Sequence, residues 1–175
     1  MNRRHSFTAG LAFLALAACD PLGSGNVADG PGVVSSEELA DTSVVQFRHV
    51  DAINAVRNSR GLRSLQFSQA LNSAALTHAR DMALQQRAWH FGSDRSNPLS
   101  RAKRAGYGGQ IIGENISESF DGDIQTLQNW LAQTDAASVI LDPRASSIGF
   151  GWFQEPTGKI WWVQLIGTTG QPGSA

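Results

Sequence analysis

The apolar run 159–167 constrains the fold more than any other stretch of the chain. Ile160, Trp162, Gln164 and Ile166 share one face of an extended strand, and Trp161, Val163 and Leu165 share the other, because successive strand side chains alternate. Both faces are apolar, so both need cover. A strand with one wet face would alternate apolar and polar residues, and this one does not. The run therefore predicts a sheet held between two helical layers. The run 147–154 reaches it through Glu155-Pro156-Thr157-Gly158, a turn sequence that predicts a β-hairpin. Another strand is predicted over 111–117, which opens on paired isoleucines. Gly149-x-Gly151 lacks the third glycine and following helix of a nucleotide loop and signals close packing instead.

Helical periodicity fills the rest of the domain. In 43–60, Val44, Phe47, Val50, Ile53 and Val56 recur every three residues and Gly61 stops the run. In 68–87, Leu71, Ala74, Ala75, His78, Met82 and Gln85 fall at three- and four-residue steps behind Ser68, a good N-cap. A short helix is expected between Ser96 and Ala105, with Pro98 in its first turn and the Gly106-Tyr107-Gly108-Gly109 stretch as its end. The run 123–132 puts Ile124, Leu127 and Leu131 on one side, with Trp130 beside them and Asp121 and Asp123 as helix-start signals. The aromatic residues Trp130, Trp152 and Trp162 lie in periodic apolar segments and read as core.

The first nineteen residues form an address. Arg3 and Arg4 precede the apolar stretch Leu11 to Leu16, then small Ala17 and Ala18, then Cys19, the order of an export signal. The stretch is too short to span a bilayer as a mature helix. Leu16-Ala17-Ala18-Cys19 resembles the bacterial lipobox, which implies cleavage before Cys19, the chain's only cysteine, and acylation there. Two or more acyl chains anchor a protein stably where one holds it only marginally. The expected organisation is a lipoprotein signal peptide over 1–18, a flexible tether with lipidated Cys19 over 19–42, and a globular domain over 43–170. The tether carries Pro21, Gly23, Ser24, Gly25, Gly30, Pro31 and Gly32. The expected location is the cell envelope, lipid-anchored on the exported side of a bacterial membrane. Asp20 after the cysteine resembles the signal for retention on the inner membrane in enteric-type bacteria.

Charge removes one class of partner. The 14 basic and 15 acidic residues give a net charge of -1, and removing residues 1–18 takes away Arg3 and Arg4 and no acid. That balance gives no electrostatic reason to expect nucleic acid. The length fits one domain, expected to be a monomer. A single cysteine can build neither a disulfide framework nor a Cys-rich metal centre. No Gly-x-Ser-x-Gly elbow and no His-Glu-x-x-His motif occurs.

Read in order, Ala74, Ala75, His78-Ala79-x-Asp81-Met82-Ala83, Trp89-His90, Arg101, Gly106-Tyr107, Gly113-Glu114-Asn115-Ile116, Trp130, Ile140-Leu141-x-Pro143, Ile148-Gly149-x-Gly151 and Trp161-Trp162-Val163-Gln164 resemble a bacterial CAP domain. This is the SCP-like superfamily of cysteine-rich secretory, antigen and pathogenesis-related proteins, and the match runs from about residue 45 to 167. The resemblance implies an α+β fold, a three-layer α-β-α sandwich around a small, mainly antiparallel sheet. It also implies a cleft that in many members holds two histidines and two acids, and in some a divalent metal.

Carried over position by position, His90 matches the first histidine and Glu114 one acid. The second acid position holds Gln133 and the second histidine position Ala136. Asp135 lies beside the vacancy but one residue along the chain. His90 and Glu114 supply two ligands, whereas a catalytic zinc takes three and calcium takes six to eight oxygens. No cofactor is expected, and these residues leave room for a weak divalent site at most. His78 is read as a packed histidine: it lies twelve residues before His90, a separation of about 18 Å along a continuous helix. His49, beside Arg48, reads as solvated, and Asn115 as a loop-holding residue. The expectation is an exported, membrane-anchored binding or envelope-associated module working through a cleft of His90, Glu114, Gln133 and Ala136, without well-formed enzymatic machinery. Lipids, sterols and cell-wall glycans are the ligand classes the superfamily implies. The alternative is a weak metal-assisted or Glu114/His90-dependent hydrolase.

Overall fold

The computed structural model describes residues 42–169. The expected signal peptide over 1–18, the lipidation site Cys19, Asp20 and the tether up to residue 41 lie outside them. The described residues form α1 (Thr42–Ser59), β1 (Gln66–Phe67), α2 (Gln69–Gln85), α3 (Pro98–Arg104), β2 (Ile111–Ser119), α4 (Asp123–Ala132), α5 (Thr134–Ile140), β3 (Ser147–Gln154) and β4 (Ile160–Gly167). No helix among them is long and apolar enough to cross a membrane.

The strands form one sheet in the order β1-β3-β4-β2. β4 pairs antiparallel with β3 and β2, and the two-residue β1 runs parallel to β3. β4 is buried along its whole length. Ile160, Trp162 and Ile166 enter one core with residues of α1, α4 and α5. Trp161, Val163 and Leu165 enter a second core with α2 and with Ala102 of α3. The α-β-α sandwich thus follows from the two-faced strand. Trp130 and Trp162 belong to the first core, where Phe150 stacks on Trp162 at 5.3 Å between centroids.

Close approach, the reading of Gly149 and Gly151, is what packs β3 onto α2. A Cβ at Gly149 would sit 2.2 Å from the Leu71 carbonyl carbon, and one at Gly151 would sit 2.4 Å from the Leu76 nitrogen. Local signals set the helix ends. The Ser68 side chain accepts from the Leu71 N–H, and Asn97 with Ser100 forms a capping box ahead of Pro98. Asp123, in the first turn of α4, is buried and takes a two-point ion pair from Arg48 of α1, with Nη2 to Oδ1 at 2.5 Å.

Two expectations need correction. In α1 the buried residues are Val45, His49, Val50, Ile53 and Arg57, while Val44 and Phe47 are exposed. The buried stripe follows four-residue steps, and its polar members hid it from an apolar count. His49 is therefore not solvated. It is fully buried, stacked on Phe150 at 3.5 Å, and accepts at Nε2 from the Gln164 amide. Burial pushes its pKa down to about 3, against a smaller opposite effect of the Asp123 backbone. Arg57 is also buried, donating to the backbone carbonyls of Arg63, Ile140, Asp142 and Ala145. It ties the end of α1 to the loop that leads into β3. The helix α5 and the short β1 had no counterpart in the sequence reading.

Candidate functional site

The site is assembled by a helix stop, a loop and the middle of β2. α2 ends at Gln85, and Gln86 takes the left-handed conformation with φ 50°, its side-chain amide donating to the Ala83 carbonyl. The chain turns back there. As a result, the Trp89 carbonyl returns to accept from His78 Nε2 at 2.9 Å, and His90 arrives beside β2. The 18 Å estimate fails because it required one continuous helix through both histidines.

Glu114 is the hub. Its side chain is 1% exposed, and its Oε2 accepts from Arg101 Nη2 at 2.6 Å. Its Oε1 accepts from His90 Nδ1 at 3.0 Å. His78 Nε2 approaches the same oxygen at 3.8 Å, beyond hydrogen-bond reach, with its proton committed to Trp89. A carboxylate offers only lone pairs, so His90 carries a proton on Nδ1, and in the neutral ring its Nε2 is left as an acceptor. The His90 side chain is 53% exposed. The arrangement is a half-open imidazole standing on a buried, already neutralised carboxylate.

Arg101 does more than neutralise. Its Nη1 donates to the backbone carbonyls of His90 and Ser96, both at 3.0 Å. Asp81 holds the same loop from α2, accepting from the Ser93 N–H at 2.8 Å and the Ser93 hydroxyl at 2.6 Å. The loop carrying His90 is therefore fixed at several points. The role of Arg101 was not legible: thirteen residues and a change from helix to strand separate it from Glu114, so no periodicity links them. Its only sequence signal was its place in the family string. Burial lowers the pKa of His78, with Glu114 opposing the shift and Arg101 reinforcing it.

The structure brings His90 and Glu114 together, and the other two members of the expected cleft lie on the α4–α5 segment. Gln133 is exposed at the junction of α4 and α5, and its amide donates to the Asn129 carbonyl. Ala136 is reached through Asn115, whose amide donates to the Ala136 carbonyl at 3.2 Å and to Gln164 Oε1 at 3.0 Å. Asn115 thus ties β2 to the helix α5, where a loop was expected as its partner. Asp135 is exposed on the first turn of α5. Among the described residues, no three or more His, Cys, Asp or Glu side chains gather in a way that could hold a metal ion. His78, His90 and Glu114 come near one another, but the nitrogens facing the carboxylate are engaged with Trp89 and with the carboxylate itself.

A half-exposed histidine on a loop held against a Gly-Glu-Asn strand, inside an α-β-α sandwich with a two-faced central strand, defines a domain class. The profile of the cysteine-rich secretory protein family, CAP, matches residues 50–166. The chain belongs to that family. It is similar to the uncharacterized protein YkwD of Bacillus subtilis, with 27% identity over 128 residues, 73% of this chain and 49% of that protein. It therefore spans about half the length of that relative. Among solved structures it resembles an extracellular protein containing a SCP domain from Bacillus anthracis, with TM-score 0.68, 20% identity and coverage of 80% of this chain and 45% of the other. It also resembles an outer surface protein from Borrelia burgdorferi, with TM-score 0.61, 15% identity and coverage of 79% and 98%. At these identities the likeness establishes the fold.

Proposed function

We propose that this chain is an exported, lipid-anchored CAP-domain protein that serves the cell envelope as a binding module, with His90 as the recognition group of its surface. One observation carries the reading: both oxygens of Glu114 are engaged, one by Arg101 and one by His90. A carboxylate with both oxygens engaged in that way positions its neighbours and turns neither oxygen freely toward a substrate. The other two expected cleft positions hold Gln133 and Ala136, which have no ionisable group. What remains at the surface is a fixed hydrogen-bond acceptor, His90 Nε2, on a rigid loop. The names of the structural relatives, an extracellular protein and an outer surface protein, support the exported location, and the Leu16–Cys19 sequence supports the anchor.

The same dyad favours one second reading. A carboxylate that orients a half-exposed imidazole is also the base-and-orienter part of a hydrolase, with His90 as base and Glu114 as positioning group. Binding of solubilised envelope lipids and glycans, followed by NMR shifts of the His90 loop, together with an esterase and protease panel, separates the two. The binding reading expects saturable shifts that are lost in His90→Ala, and no turnover. Turnover abolished by both His90→Ala and Glu114→Gln would overturn it in favour of the hydrolase.

A further inference from the structure

A cavity of about 520 Å³ opens between α2 and α3, on the helical layer that carries the second core. Its rim includes Ser73, Thr77 and Arg80 of α2 and Ser93 of the loop. His78 and Arg101 are also among its lining residues, whereas His90 is not. The cavity thus adjoins Glu114 through His78 and Arg101 but is separate from the exposed imidazole. Its volume falls within the range of small-molecule sites, roughly 300–1,000 Å³.

Two polar atoms of its buried lining have no partner: His78 Nδ1 and Arg101 Nε. Their characters are fixed by the bonds around them. His78 donates from Nε2 to Trp89, so its Nδ1 presents a lone pair. Arg101 Nε always carries a proton. The fold therefore leaves one buried acceptor and one buried donor unmatched beside the same cavity. Buried polar groups are nearly always satisfied, so each such exception calls for an explanation. Both atoms are closed to bulk water, so a ligand in the cavity that their residues line reaches them only with a small rearrangement of its floor.

The chemistry of the partner follows from the pair. A hydroxyl both donates and accepts, and hydroxyl groups can meet the two atoms together. A carboxylate would place its lone pairs against that of His78 Nδ1, and an ammonium would oppose the Arg101 guanidinium. The three arginines at the cavity, Arg80, Arg101 and Arg104, are equalled by Asp81, Asp94 and Glu114, with Arg101 paired to Glu114 at 2.6 Å and Arg104 to Asp94 at 2.8 Å. The rim adds the hydroxyls of Ser73, Thr77 and Ser93. We propose that the α2–α3 cavity is a binding site for a neutral, hydroxyl-rich ligand of one or two sugar rings, with hydroxyls meeting Arg101 Nε–H and His78 Nδ1. This site stands independently of the role proposed for His90.

The test is an amide chemical-shift titration of the intact chain with glucose, N-acetylglucosamine and its disaccharide, with glucuronate as the charged comparison. Thr77→Trp fills the cavity from an exposed rim position without entering the core, and a circular dichroism spectrum checks that it folds. Saturable shifts confined to 73–84 and 93–105 are expected with a neutral sugar, at least roughly tenfold weaker in Thr77→Trp and unchanged in His90→Ala. The proposal is overturned if no neutral sugar gives saturable shifts, if Thr77→Trp binds as well as wild type, or if glucuronate binds more tightly than glucose. Shifts centred on His90 and lost in His90→Ala would also overturn it and would assign binding to the His90 surface instead.

Discussion

Replacing Arg101 with methionine tests whether Glu114 is a structural hub. The Arg101 and Glu114 side chains are 5% and 1% exposed, so the substitution leaves a buried carboxylate without its cation. It also removes the donor to the His90 and Ser96 carbonyls. Breaking one side of a buried pair costs about 3–5 kcal/mol, a large part of the 5–15 kcal/mol that typically holds a domain together. With a urea dependence of about 2 kcal/mol per molar, the unfolding midpoint should fall by about 2 M. Tryptophan fluorescence reads this directly, since Trp130, Trp161 and Trp162 are buried. Adding Glu114→Leu should recover part of the loss, since an apolar pair leaves no buried charge. A fall of less than about 1 kcal/mol in Arg101→Met, or a double variant less stable than Arg101→Met alone, would show that Glu114 is not a structural hub.

Gly149→Ala places a methyl 2.2 Å from the Leu71 backbone, so β3 and α2 must separate, and thermal unfolding should show a loss of about 1–3 kcal/mol or more. A loss within error would mean that the two elements are not packed as closely as described. His49 has a native pKa of about 3, so the unfolded chain takes up a proton that the folded chain refuses between about pH 6.5 and 3. Stability should therefore decline as pH falls through that window, by about 1.4 kcal/mol per pH unit for this group, with His78 acting in the same direction. His49→Gln, which keeps an acceptor for Gln164, should flatten the slope between about pH 6 and 4.5 by close to one proton. An unchanged slope would show that His49 is not buried neutral. Cys19→Ser should release the protein from the membrane fraction and abolish acylation. Unchanged membrane association would end the anchor proposal.

The layered architecture was legible because one strand declared it. Ile160 to Gly167 is apolar on both sides, and only a sheet covered on both faces accommodates that. Ser68, Pro98 and the Glu155–Gly158 turn marked element ends through local chemistry and were found at those ends. The buried stripe of α1 was not legible, because His49 and Arg57 are polar residues whose partners lie in Gln164 and in the 140–145 loop. α5 escaped for a similar reason: its seven residues bury only Ile140. In the site, His90 and Glu114 were found as a pair by family position. The turn at Gln86 that returns the chain to His78, and the pairing of Arg101 with Glu114, depend on tertiary contacts that no sequence period encodes.

Glu114 holds the exposed imidazole in one proton arrangement. Long-range proton–nitrogen NMR spectra of the His90 ring, at mildly alkaline pH, test it most directly. A proton on Nδ1 and a bare Nε2 are expected, with Glu114→Gln releasing the ring into mixed tautomers. A dominant Nε2–H form in the wild-type chain, indifferent to Glu114→Gln, would contradict it.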